Sequence, residues 1–137
     1  MSVITIKGKQ VPYDEKNIIT FAEGLIGMPE MRRAVLVPMD EFEPFCWLAS
    51  VESEKTRFVV VDPNVVFDGY EPFPAEQVAG KDVQTLAIVK ISSDWHKTTI
   101  NLRAPLVINN ETHAGAQLIL SDSKYQFAES LMQDQSC

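Results

Sequence analysis

The chain has 137 residues, 45% of them hydrophobic and 23% charged, which suits one compact domain and is too little for two. Acidic side chains outnumber basic ones 19 to 12, for a formal charge of -7, and that balance argues against a phosphate-binding surface and so against direct nucleic-acid binding. The start of the chain lacks the apolar run of a secretory leader, and no apolar stretch approaches the roughly 18 residues of a membrane span, so a cytoplasmic protein with no membrane contact is expected.

The apolar segments are short, rich in Val, Ile and Phe, and separated by turn formers, which predicts strands. In chain order they fall at 3–6, 18–21, 34–37, 45–51, 57–61, 86–91, 98–102, 106–108 and 117–120. Between the second and third, Gly24-Leu25-Ile26-Gly27 lets the chain turn tightly. Residues 58–61 are apolar at every position, as in a strand covered on both faces. Asp62-Pro63-Asn64, Asp68-Gly69 and Asn109-Asn110 mark breaks. The stretch 98–102 alternates, placing Ile100 and Leu102 on one face and Thr99 and Asn101 on the other.

Helix signals occur at 74–79, where Pro74 suits a first turn and Gly80 a stop, and at 121–132, opened by Ser121-Asp122-Ser123. In the second stretch Tyr125 and Phe127, two apart, fit a last strand equally well. There is no repeat and no linker, so residues 1–132 are expected to form one domain and 133–137 a disordered tail. Many short strands with little helix imply a mostly β, small single-domain, β-barrel-like fold.

The candidate metal ligands His96, His113, Cys46 and Cys137 fall at no ligand spacing, so neither a metal nor a cofactor is expected. The two cysteines do not suggest a structural disulfide. Cys46, between Phe45 and Trp47, reads as a small core residue with a raised thiol pKa. No nucleophile elbow, phosphate loop or dinucleotide fingerprint is present. Asp94-Trp95-His96 carries little weight as a dyad, because immediate neighbours in a strand point to opposite faces and a turn imposes no fixed geometry on the three residues. Arg32, Arg33 and Arg103 are too sparse for a nucleic-acid track. No catalytic constellation emerges, and a non-enzymatic binding protein follows by elimination. The competing classes are a barrel holding a small apolar ligand and a hydrolase using Cys46 or an unrecognised carboxylate pair.

Carboxylates cluster at Asp40, Glu41 and Glu43, and again at Asp62, Asp68, Glu71, Glu76 and Asp82. Such runs are ordinarily a solvated face. Here Phe67, Tyr70 and Phe73 are interleaved with the second cluster, which gives it the make-up of a partner surface with aromatic anchors. The candidate partner-binding residues are therefore Phe67, Asp68, Tyr70, Glu71, Phe73 and Glu76, together with Asn101 on the polar face of its strand. Pro105 and Asn109 read as strand-edge and turn determinants.

From about residue 18 to 125 the sequence resembles the FliW family of flagellar assembly factors. Phe21-Ala22-Glu23-Gly24-Leu25-Ile26-Gly27-Met28-Pro29 is similar to the family's F-x-x-G-L-x-G block, with Met28 where an aromatic is frequent. Pro44-Phe45-Cys46-Trp47-Leu48-Ala49-Ser50 resembles its P-F-x-x-L-x-S strand, and Arg57-Phe58-Val59-Val60-Val61-Asp62-Pro63 the next strand and its D-P turn. Thr99-Ile100-Asn101-Leu102-Arg103-Ala104-Pro105-Leu106-Val107-Ile108-Asn109 resembles T-x-N-L-x-A-P-I-V-I-N, the most specific block. Gln117-Leu118-Ile119-Leu120 and Tyr125 resemble the closing strand, and the segment beyond follows no family pattern. The resemblance implies a β-barrel-like protein with two partners, flagellin and the translational regulator CsrA. On that resemblance flagellin would occupy it while abundant, and once flagellin is exported the released protein would bind CsrA and relieve repression of flagellin mRNA. Two partners drawing on one limited protein are linked by mass action, and an acidic surface complements a basic RNA-binding target.

Overall fold

A computed structural model describes residues 2–67, 69–70, 72, 82–120 and 124–131. Its strands are β1 (Ser2–Ile6), β2 (Lys9–Tyr13), β3 (Ile19–Phe21), β4 (Arg33–Pro38), β5 (Cys46–Ser50) and β6 (Arg57–Val61), then β7 (Val83–Lys90), β8 (Thr99–Ile100), β9 (Leu106–Asn109), β10 (Ala114–Gln117) and β11 (Glu129–Ser130). A single helical turn, α1 (Pro63–Val66), follows β6, and 3-10 turns occupy Glu15–Asn17 and Trp95–Lys97.

Strands β3 to β7 pair antiparallel in sequence order. Strand β10 joins β3 in parallel, β9 joins β10, and β9 returns to pair with β7. Seven strands thus close on themselves, and the expected mostly β, barrel-like fold with little helix is what the chain forms. Closure leaves these strands no open edge to template wrong pairing. Beyond β9, the same edge of β7 also carries β8, which in turn pairs with β11.

The two-residue period of the strands sorts their side chains into separate cores. Ile19, Phe21, Ala34, Leu48, Val60, Leu86, Leu106 and Ile108 fill the barrel, and Leu25 and Met31 from the connection between β3 and β4 join them. The alternate residues Val59, Val61, Ala87 and Val89 point outward and are covered with Tyr70, Ile100 and Leu102 in a second cluster. The apolar run at 58–61 is therefore covered on both faces, as its composition requires. A third cluster forms where Ile4 and Ile6 pack against Val35 and Ala49 on the outer wall.

That third layer is the hairpin β1–β2, whose second strand the sequence reading did not predict. Lys9–Tyr13 opens on Lys9 and Gln10 and contains Pro12, leaving no run of β-formers, so it carries no strand signal of its own. The turn between the strands is two residues, Lys7 and Gly8, with φ of 51° and 79°. Both values lie in the left-handed region that a two-residue hairpin turn needs.

Three further expectations are displaced. Strand β7 begins at Val83, where 86 was expected, and β8 is limited to Thr99–Ile100. The last barrel strand is Ala114–Gln117 and not 117–120: Leu118 and Ile119 are exposed, while Gly115 lies in the ladder opposite Phe21. A Cβ at Gly115 would come within 2.6 Å of the Phe21 ring, so the strand beside this bulky side chain must be small there, and hydrophobicity points to its neighbours instead. Of the stretch 121–132, the described part holds a turn and β11, with no helix. The expected helix at 74–79 and tail at 133–137 lie outside the described residues.

Candidate partner-binding surface

Strand β6 delivers the chain into the segment singled out for its carboxylates and aromatics. The Asp62 carboxylate accepts a hydrogen bond from the Asn64 N–H at 2.9 Å, Pro63 occupies the first turn, and the Phe67 N–H closes α1 on the Pro63 carbonyl. Gly69 follows with φ of 73°, a conformation that glycine adopts without a steric penalty. Phe67 is half-buried against the second core cluster. Asp68, Glu71, Phe73 and Glu76 lie outside the described residues.

Tyr70 is not an exposed anchor. Only 4% of it is accessible, its hydroxyl donates to the Leu102 carbonyl, and its ring meets Tyr125 edge-on at 4.6 Å between centroids. Burial, followed by the neighbouring Tyr125, raises its phenol well above the ordinary range. Alternation of aromatics with carboxylates therefore placed Tyr70 in the same class as Phe67 and Phe73, whereas the backbone turns it inward.

Asn101 lies where β8 gives way to β9, and the register shows what happens there. Val89 faces Ile100, while Leu86, three positions back, faces Leu106, six positions on. Three extra residues must therefore leave the ladder, as in an extended bulge. The Asn101 side-chain oxygen accepts from the Ala104 N–H at 3.0 Å and holds the excursion closed. Its carbonyls are taken up by other segments: Leu102 by Tyr70, Arg103 by the Leu120 N–H, Ala104 by the Gln117 amide and Pro105 by the Leu118 N–H. Gln117 also accepts from the Ile26 N–H at 2.8 Å, so one side chain ties the bulge to the turn at residues 24–28. Asn109 accepts from the N–H groups of Glu111 and Thr112 and shapes the following turn, as its type suggested.

The geometry elsewhere bears on the enzyme alternatives. Asp94 accepts from the His96 backbone N–H at 3.1 Å, so these two residues form a capped turn. Cys46 is half-buried, and burial pushes its thiol up, which disfavours the reactive thiolate. Among the described residues no three His, Cys, Asp or Glu side chains are grouped to hold a metal ion, and no helix is long and apolar enough to cross a membrane.

A concave feature that the sequence reading missed runs between the hairpin β1–β2 and the end of β4 with the loop after it. Its signal lay in the hairpin, and the hairpin was hidden by Lys9, Gln10 and Pro12 in β2.

Three comparisons agree on what the chain is similar to. The family model described as FliW protein matches residues 3–131. The flagellar assembly factor FliW of Clostridium beijerinckii is 35% identical over 130 residues, spanning 90% of this chain and 92% of that one. The protein of the same name from Geobacter sulfurreducens is 34% identical, over 91% and 82% respectively. A crystal structure of the flagellar assembly factor FliW superimposes with a TM-score of 0.85 at 28% identity, covering 98% of this chain and 99% of the other.

Proposed function

The chain belongs to the FliW family of flagellar assembly factors, and from that premise we propose that it is a cytoplasmic, non-catalytic protein that takes flagellin and CsrA as alternative partners. While flagellin is abundant it holds the protein, and CsrA is free to repress flagellin mRNA. Export of flagellin releases the protein, which binds CsrA and lowers its affinity for RNA. Such antagonism needs no chemistry. It requires that binding favour a CsrA state with weaker RNA affinity, and the coupling is reciprocal.

The observation that carries this reading is the agreement of sequence and fold with flagellar assembly factors over nearly the whole chain. The formal charge of -7 supports a basic target.

Isothermal titration with CsrA, repeated after saturation with flagellin, tests it. Tight CsrA binding that flagellin abolishes is expected. CsrA binding indifferent to flagellin would leave the antagonist and remove the switch, and heat from neither partner would reject both roles and favour a barrel for a small apolar ligand.

A further inference from the structure

The open groove between the N-terminal hairpin and the β4–β5 connection has a volume of about 620 Å³. Its floor is apolar and at least half-buried, made by Ile6, Val11, Val37, Met39 and Trp47. Two cations approach the Trp47 ring, the Lys7 ammonium at 5.3 Å and the Arg57 guanidinium at 5.2 Å from its centroid.

The two lips carry opposite charge. Lys7 and Lys9 stand on the hairpin, Asp40 and Glu41 on the loop across from it, and all four are exposed. In a chain with seven more acidic than basic groups, a paired arrangement of this kind selects a partner surface that is apolar along its middle and charged, with opposite sign, along its two flanks.

The backbone of the groove narrows the choice further. Pro12 of β2 and Pro38 of β4 both line it. The Met39 N–H is bonded to the Phe45 carbonyl, so in the alternating ladder the nitrogen of Pro38 points away from β5. By the same alternation, counted from the Ile6–Lys9 pair that closes the hairpin, the nitrogen of Pro12 points outward from β1. A strand laid into the groove would meet a missing donor at each of these edges. An α-helix satisfies its own backbone and needs none.

We propose that this groove is the docking seat for an amphipathic α-helix of a protein partner, its apolar stripe over Trp47 and Met39, an acidic flank against Lys7 and Lys9, and a basic flank against Asp40 and Glu41. The proposal rests on the reading of the chain as a flagellin- and CsrA-binding protein and assigns where a partner is held.

The experiment is hydrogen exchange on the full chain alone, with purified flagellin and with purified CsrA, alongside titrations of Lys7→Glu/Lys9→Glu and Asp40→Lys/Glu41→Lys. The substituted side chains are exposed, so the thermal midpoints should match that of the unaltered chain. With at least one partner, protection over residues 6–12 and 37–42 is expected, matched by protection of a helix on the partner. Each lip reversal is expected to weaken that complex about tenfold or more. Binding that leaves the groove unprotected and is indifferent to both reversals overturns the assignment, as does protection of a strand in the partner. Protection that grows with the concentration of the chain alone would mark a second copy, and protection lost after denaturation and refolding would mark a co-purified small molecule; either overturns it. Failure of both partners to bind is a different result, which removes the proposed function itself.

Discussion

Single residues carry much of the fold's specificity, and two glycines separate conformational strain from steric exclusion. Gly24 and Gly27 both have positive φ, at 70° and 78°, where an L residue is disfavoured by about 1 to 2 kcal/mol. A Cβ on Gly27 would meet nothing within 4 Å, whereas one on Gly24 would run into the backbone carbonyl of Pro29. Gly27→Ala should therefore cost about 1 kcal/mol, and Gly24→Ala about 3 kcal/mol or more because overpacking adds to the strain. Chemical denaturation of the two variants checks this, and equal losses would contradict it. Tyr70 makes the second case. Tyr70→Phe leaves the Leu102 carbonyl without its phenolic donor, at a cost of about 1 to 3 kcal/mol. Because burial raises this phenol in the folded protein above the 10.0 of a free tyrosine, its contribution is complete below pH 10. It is lost as pH rises from there toward the folded value, since only the unfolded chain then releases the proton. Stability measured between pH 9 and 11 should fall less steeply in Tyr70→Phe than in the unaltered chain; identical slopes would remove Tyr70 from the alkaline transition.

At the scale of elements, the most specific sequence block is a bulge, and its first polar residue has a role in the fold whatever it does for a partner. Asn101→Ala removes the acceptor for the Ala104 N–H and should cost about 1 to 2 kcal/mol, in the range of a lost cap. Asn101→Asp keeps an oxygen there and should hold the thermal midpoint close to that of the unaltered chain. If the amide also meets CsrA, the aspartate variant will bind CsrA more weakly despite its intact fold; unchanged affinity would confine Asn101 to the turn. The same bulge explains why the strands were legible only in part. Residues 98–102 read as one alternating strand, and Ile100 and Leu102 are indeed buried, but an insertion of three residues leaves no trace in a two-residue period. Strand β2 was missed because an outer layer needs few apolar residues, and 117–120 drew the strand assignment from β10 because the closing strand is small where Phe21 fills the barrel. The candidate site was less legible than the fold. Composition marks aromatics among carboxylates, but only the backbone decides that Tyr70 turns inward and that Lys7 and Lys9 face Asp40 and Glu41 across a groove.

For the molecule as a whole, the question is whether its charge acts locally or as a single field. A formal charge of -7 attracts any basic partner over roughly a Debye length of 8 Å at physiological salt, and such attraction mainly speeds encounter. A partner surface in the segment of Asp68 and Glu71 would instead make particular carboxylates matter more than others. Asp68→Lys/Glu71→Lys adds two charges at each position and moves the total from -7 to -3. It should weaken CsrA binding and flatten its dependence on salt while leaving the thermal midpoint nearly unchanged. Glu52→Lys/Glu54→Lys makes the same change of total charge at exposed positions in the β5–β6 turn and serves as the control. Loss confined to the first pair, in titrations at two salt concentrations, places the contact at Asp68 and Glu71. Equal losses would mean that CsrA responds to the net field alone, and unaltered affinity in the first pair would exclude this segment from the CsrA interface. Because the lip reversals Lys7→Glu/Lys9→Glu make the chain more acidic, a pure field effect would strengthen CsrA binding where loss of a specific contact weakens it, so the two sets of variants oppose each other in sign.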